Sequence, residues 1–169
     1  ERIGSITDEL RAFSRKTSQG VCPVVPDDAI DGALLLIGGR LREHGVTVCR
    51  SRRSPLAAVA EPIRLEQVIL NLIQNAFEAM IDQDVSQPRL DLEVRAEGDA
   101  LEVIVTDNGP GVDLHIARDL FTPFVTTKAA GLGLGLVISR DIVAAFGGEL
   151  SWRPTSSGAS FVIRLKVAG

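Results

Sequence analysis

Leu65-Glu66-Gln67-Val68-Ile69-Leu70-Asn71-Leu72-Ile73-Gln74-Asn75-Ala76 is the stretch on which the reading of this chain turns. It lies inside a run, Ile63–Ile81, whose spacing predicts one helix, apolar at Leu65, Val68, Ile69, Leu70, Leu72, Ile73, Ala76 and Phe77. Against that surface Gln67, Asn71, Asn75 and Glu78 recur four, four and three residues apart, which puts them on one face. A polar stripe on so hydrophobic a helix is partly buried, and each unpaired amide there costs on the order of 1–3 kcal/mol. Something must satisfy it. A magnesium ion on the Asn75 side-chain oxygen would do so, because Mg²⁺ takes oxygen ligands and keeps several waters while bridging phosphates. A buried amide network to neighbouring backbone is the plainer alternative.

Downstream, Arg89–Ala96 and Ala100–Thr106 alternate, with Leu90, Leu92 and Val94 matched by Leu101, Val103 and Val105, and Glu97-Gly98-Asp99 supplies the turn of an antiparallel hairpin. The second strand runs into Asp107-Asn108-Gly109-Pro110-Gly111. Gly109 and Gly111 permit the close backbone approach of a ligand-hugging turn, where the carboxylate can accept from an adenine amino group; an ordinary Asp-Asn-Gly turn needs no ligand. Further on, Gly131-Leu132-Gly133-Leu134-Gly135-Leu136 opens a predicted helix over Gly135–Phe146. Its N–H groups can face phosphate oxygens at the positive end of the helix dipole, with Lys128 as a nearby point charge. The alternative is a flexible entry into a core helix. Between these loops stand Phe121 and Phe124, in a chain with six Phe, one Trp and no Tyr, so that aromatic surface is concentrated there. They fit a lid that docks when the site fills, or a small apolar cluster beneath a long loop. Helix, turn and glycine segment in this order describe a pocket for ATP and a magnesium ion.

Upstream, Ile3, Ile6, Leu10 and Phe13 form the stripe of an amphipathic helix over Glu1–Lys16, and Thr17-Ser18-Gln19-Gly20, Pro23 and Pro26 break it. Residues 17–26 read as a linker or an extended entry strand, and the domain boundary falls between residues 1–20 and 21–169. A helix from Asp27 or Asp28 through Glu43, a strand at Val46–Cys49, a short extended piece ending at Pro62 and a short helix around Leu114–Leu120 fill in the pattern. Glu149–Arg153 and Ser160–Val167 close the chain as a hairpin about Pro154–Gly158. The expected fold is α/β of the α+β kind: a two-layer sandwich with a mixed, largely antiparallel sheet packed on helices, preceded by one amphipathic helix.

With 169 residues, 45% of them hydrophobic and 24% charged, the chain can bury one core but not two large ones. A net charge of −4 argues against a surface for nucleic-acid phosphates or an anionic membrane. Arg50, Arg52 and Arg53 form the one basic cluster, which reads as a solvated strand end or turn. Cys22 and Cys49 show neither metal nor redox spacing, as expected of two inert thiols in a reducing compartment. Ala33-Leu34-Leu35-Leu36-Ile37 is far short of the roughly 18–20 residues of a membrane span.

Jointly these residues resemble the catalytic, ATP-binding domain of sensor histidine kinases, of the Bergerat-fold group that includes gyrase, Hsp90 and MutL. Leu65–Ala76 is similar to the N box, Asp107–Gly111 to the G1 box, Phe121-Thr122-Pro123-Phe124-Val125-Thr126-Thr127-Lys128 to the F box and Gly131–Leu136 to G2. The match covers roughly residues 21–169. The resemblance implies Asn75 as the magnesium ligand, Asn71 and Lys128 as catalytic groups beside the phosphates, and Asp107 as the reader of adenine. It extends the ATP or ADP site to Glu78, Gly109, Gly111, Phe121, Phe124, Thr127, Gly131, Leu132, Gly133, Leu134, Gly135, Leu136 and Ser160, with Phe121–Gly135 as a mobile lid. Many relatives carry threonine near the base where this chain has Ala159. In the ATPase members a glutamate four residues before the magnesium asparagine activates water. Asn71 stands here instead, and a neutral amide cannot take that proton.

Poor hydrolysis suits an enzyme that passes the γ-phosphoryl to a protein side chain through positioning and charge stabilisation. Arg2–Thr7 and Leu10–Arg15 look like the end of the dimerisation hairpin of the nitrogen-regulatory and C4-dicarboxylate sensors. The family's acceptor histidine lies on an earlier helix, and neither His44 nor His115 fits its box. The expectation is therefore a histidine kinase catalytic domain that phosphorylates in trans. Its partners are the acceptor-histidine dimerisation domain of a homodimeric parent and a response-regulator receiver domain. Its place is the cytoplasmic portion of an inner-membrane bacterial sensor, without nucleic-acid or membrane contact of its own. The rivals are a protein-serine kinase or ATPase of the same fold, and a nucleotide-sensing interaction module.

Overall fold

The computed structural model describes residues 20–124 and 134–169. The predicted first helix, and Thr127, Lys128, Gly131, Leu132 and Gly133, lie outside the described residues.

Pro26 opens helix α1 (Pro26–Glu43), where a proline's missing N–H costs nothing, and Asp27 and Asp28 meet the positive end of its dipole. Gly45, at φ +69, lets the chain turn out of α1 into β2 (Thr47–Arg50). The entry segment before α1 is a strand, β1 (Cys22–Val24), paired antiparallel with β3 (Ala58–Ala60), which decides between linker and strand. Helix α2 (Pro62–Asp82) again starts at proline and buries Leu65, Val68, Ile69, Leu72, Ile73, Ala76, Phe77 and Met80. It packs beside α1, whose Arg40 guanidinium and His44 ring both sit 5.0 Å from the Phe77 ring centre.

Strands β4 (Arg89–Glu97) and β5 (Ala100–Asp107) form the expected hairpin, and β6 (Glu149–Pro154) with β7 (Ala159–Lys166) the second. The five-stranded sheet runs β2-β4-β5-β7-β6, with β2 parallel to β4 and every other pairing antiparallel. One face carries Leu90, Leu92, Leu101, Val103, Val105, Leu150, Phe161, Ile163 and Leu165, all buried in a single core with α1, α2 and α4 (Gly135–Ala145). This is the expected two-layer sandwich, mixed and largely antiparallel. Helix α3 (Leu114–Ala117), shorter than expected, is capped by the Asp113 carboxylate 2.8 Å from the His115 N–H, and it buries no residue that would prolong it. The small β1–β3 sheet is tied to the large one by a bridge between Ala58 and Val167 and by the Ala168 N–H donating to the Ala57 carbonyl at 2.9 Å.

The arginine cluster is more than a solvated turn. Arg50 donates to the Asp27 carboxylate at 2.8 Å and to Asp31, and Arg53 donates to Asp31 and Asp28 at 2.6 and 2.9 Å, so the loop after β2 is fastened to the start of α1. Asp27, 2% exposed at its side chain, also accepts from the Ser54 N–H at 2.8 Å. On the outer sheet face Glu102 is 1% exposed and accepts from Arg153 at 2.7 Å and Arg95 at 3.0 Å, with Arg164 at 3.5 Å. A carboxylate so buried requires such partners.

The hydrogen bond from Arg153, joined by Arg95 and opposed by burial, holds the Glu102 carboxyl below its ordinary value of 4.5. Because the folded value is the depressed one, its contribution is present above the unfolded value and is lost as pH falls through the folded one. Glu102→Gln should be less stable than the native chain at pH 7 by roughly 1.5–3 kcal/mol. Denaturant titrations at a series of pH values should show that gap shrinking on acidification below 4.5.

Candidate functional site

Three elements meet along the polar edge of α2. At one end the loop after β5 lies against the last turns of the helix: a Cβ on Gly109 would stand 2.9 Å from Asp107 Oδ1, 3.5 Å from Met80 Cγ and 3.7 Å from the Ala79 carbonyl carbon. At the other end the start of α4 lies against Asn71, where a Cβ on Gly135 would be 2.7 Å from Asn71 Oδ1. Asn75 is one helical turn beyond Asn71 toward Met80, so both anchored ends bracket it. Gln67, Asn71, Asn75 and Glu78 are all half-buried, as the stripe requires.

Asp107 is 5% exposed. Burial pushes its carboxyl above the ordinary range, against the opposing pull of the Gly109 and Ala159 N–H groups. The Gly109 N–H donates to Oδ1 at 2.8 Å. Among the described residues no arginine or lysine forms an ion pair with this carboxylate, in contrast with Asp27 and Glu102. Its compensation is backbone N–H alone, which leaves it a strong acceptor for a donor arriving from solvent.

The floor beneath Asp107 is Gly158. Its φ is +92°, and a Cβ there would stand 1.8 Å from the Asp107 carbonyl oxygen. Gly111, at φ +79, faces the Gly158 carbonyl from the other side, its Cβ position 2.9 Å from that oxygen. The turn of the second hairpin is thus part of the site's frame, a role that its sequence as a turn does not reveal. Ser139, equally unforeseen, is buried on α4 and accepts from Asn71 Nδ2 at 3.0 Å.

The structure therefore sets Asp107, Gly109 and Gly111 at one end of the polar edge of α2 and Gly135 against Asn71 at the other, with Asn75 and Glu78 on the same helix face. Leu134 is the N-cap of α4, and Leu136 is partly buried and packs against the core. The two phenylalanines part company. Phe121 is half-buried under the Arg140 guanidinium, 5.5 Å from its ring centre, in a cleft of about 540 Å³ shared with Ala117, Ala144, Leu150 and Trp152. Phe124 is 69% exposed with φ +68. Ser160 is buried in β7. Its hydroxyl is 3.0 Å from that of Thr106 on the outer sheet face, because β7 already turns Phe161, Ile163 and Leu165 inward; Ala159 occupies the inner side. His44 and His115 are exposed, the first bonded to the Arg40 carbonyl at 2.9 Å.

No group of three or more His, Cys, Asp or Glu side chains forms a metal cage among the described residues. That is compatible with a magnesium ion, which is held through one or two protein oxygens plus phosphates rather than a dedicated cage. No helix among the described residues is long and apolar enough to cross a membrane.

Residues 60–169 match the family model described as histidine kinase-, DNA gyrase B- and HSP90-like ATPase. The C4-dicarboxylate transport sensor protein DctB of Rhizobium meliloti is 42% identical over 99% of this chain and 27% of its own length. The two-component sensor PprA of Pseudomonas aeruginosa is 38% identical over 99% of this chain and 19% of its own. Among solved structures, the nucleotide-free catalytic domain of histidine kinase ThkA superposes with TM-score 0.77 at 25% identity, covering 88% of this chain and 96% of that one. Full-length ShkA in complex with AMPPNP gives 0.79 at 25% identity over 99% of this chain and 37% of that one. The chain belongs to the histidine kinase-, gyrase B- and HSP90-like ATPase family, and within it is a catalytic domain of the sensor histidine kinase kind, akin to the C4-dicarboxylate sensors. It spans about a quarter of the length of the curated relatives it matches.

Gly158→Ala should destabilise the chain by roughly 2–4 kcal/mol, since it adds a left-handed penalty to a collision with backbone that cannot swing aside. The shift of the urea midpoint measures it.

Proposed function

We propose that this domain binds Mg-ATP, or ADP after turnover, along the polar edge of α2 and transfers the γ-phosphoryl group to a histidine on the dimerisation helix pair of its parent sensor. A response-regulator receiver domain then takes the group. The observation that carries the reading is the bracketing of Asn75 between a buried carboxylate, Asp107, and the bare backbone of Gly135 packed on Asn71. Asp107 would accept from the adenine amino group, and Gly109 and Gly111 would let the base lie close to backbone. Asn75 would hold the magnesium ion, which neutralises phosphate charge when bound.

In the transfer, the bond from the γ-phosphorus to the bridging oxygen breaks, a bond to an imidazole nitrogen forms, and ADP leaves. Asn71, a neutral amide held against α4, can orient a phosphate oxygen but cannot deprotonate water, which favours transfer over hydrolysis. The acceptor is a histidine outside these 169 residues, because neither His44, at the C-terminal end of α1, nor His115, in the single turn of α3, stands in an acceptor box of the kind the family resemblance implies. Lys128 and Thr127 are proposed to complete the phosphate end, and the domain is proposed to work as the cytoplasmic portion of a membrane-bound homodimer.

Calorimetry with ATP and ADP, with and without Mg²⁺, should give binding to the native chain that Asp107→Ala and Asn75→Ala abolish or weaken at least about tenfold, the loss expected for a charge-assisted bond. Retained affinity in both variants would refute the assignment. Asp107's raised pKa adds a pH signature. The ionised acceptor disappears as pH falls through a value above that of an ordinary aspartate, so ATP affinity should drop earlier on acidification than the titration of ATP alone explains.

A further inference from the structure

We infer that Ser139 is a positioning residue for Asn71, clamping its amide between α2 and α4; the inference rests on Asn71 facing the phosphates. Ser139 is 2% exposed, on a helix that also buries Ile142 and Val143 and turns Arg140 and Asp141 to solvent. An alanine would fill that place as ordinary core, whereas a buried hydroxyl has to be bonded. Its partner is the Asn71 amide, 68 residues away in sequence, with Nδ2 donating to Oγ at 3.0 Å.

Gly135 stands one turn before Ser139, so both lie on the same side of α4. The amide fills the space that a Cβ on Gly135 would take, 2.7 Å from Oδ1 and 3.2 Å from Nδ2. Asn71 is therefore confined on one side by bare backbone and on the other by a hydroxyl. An asparagine amide otherwise turns freely about its terminal torsion and offers either its donor or its acceptor end. With Nδ2 given to Ser139, the direction of Oδ1 is set as well. Such a contact governs how the reacting phosphate is aligned more than how tightly the nucleotide is held, and a misaligned group costs rate.

The test measures ATP affinity by calorimetry and phosphoryl transfer from saturating Mg-ATP to a supplied histidine-bearing helix pair, for native, Ser139→Ala, Ser139→Thr, Asn71→Ala and the Ser139→Ala/Asn71→Ala pair. Ser139→Ala should lower the saturated transfer rate about three- to tenfold with ATP affinity within about twofold, and Ser139→Thr, which keeps the hydroxyl, should restore most of it. In the Asn71→Ala background the Ser139→Ala effect should vanish, as coupling through the amide demands. In the nucleotide-free chain, the Asn71 side-chain NH₂ resonances should shift in Ser139→Ala. Loss of rate that adds in full to that of Asn71→Ala, a fall in affinity matching the fall in rate, or an unchanged rate overturns the inference alone. Failure of the native chain to bind ATP overturns the proposed function and this inference with it.

Discussion

Everything in this domain depends on the divided character of α2. Eight of its residues, from Leu65 to Met80, must be buried to close the core between α1, α4 and the sheet. The same 21-residue rod carries a line of amides and a carboxylate that cannot follow them inside without partners. The fold answers by leaving one edge of α2 half-open and placing polar backbone at both ends of the opening: the loop after β5 at Ala79 and Met80, the start of α4 at Asn71. The pocket is thus the place where the sandwich cannot be completed by apolar side chains alone.

Three buried carboxylates show how differently one fold can treat the same group. Asp27 and Glu102 are neutralised by arginines, and both fasten structure: the first joins the loop after β2 to α1, the second knits the four consecutive strands β4, β5, β7 and β6 through Arg95, Arg164 and Arg153. Asp107 receives N–H groups only, and burial raises its carboxyl. Among the described residues Asp107 is the buried carboxylate without a fixed cation, and a perturbed group with acceptor capacity left over is a candidate for function.

The helix Ile63–Ile81, both hairpins and the loop at Asp107 were legible because their signals are local: a 3.6-residue period, strand alternation, and glycines after a strand end. Ser139 and Gly158 were not, because each matters only through a contact distant in sequence, with Asn71 and with the Asp107 carbonyl. A serine in a core helix carries one usable hint, a buried hydroxyl in need of a partner. Arg50 and Arg53 looked solvated for the same reason, since their aspartates lie 19 to 25 residues earlier and are reached only through the fold. Ser160 is different: strand parity with Phe161, Ile163 and Leu165 already turned it outward, and the resemblance overrode that parity. The single-turn α3 ends at Ala117, short of Leu120, and buries none of its own residues.

The three-residue sheet of β1 and β3 has a mechanical meaning. Force arriving at Cys22 passes across to Ala60, along β3 to Ala58, and through the bridge to Val167 at the end of β7, the strand that lies directly against β5. Tension from the chain's entry is therefore shared with the five-stranded sheet where Val167 meets Asp99, at the end of β5 opposite Asp107.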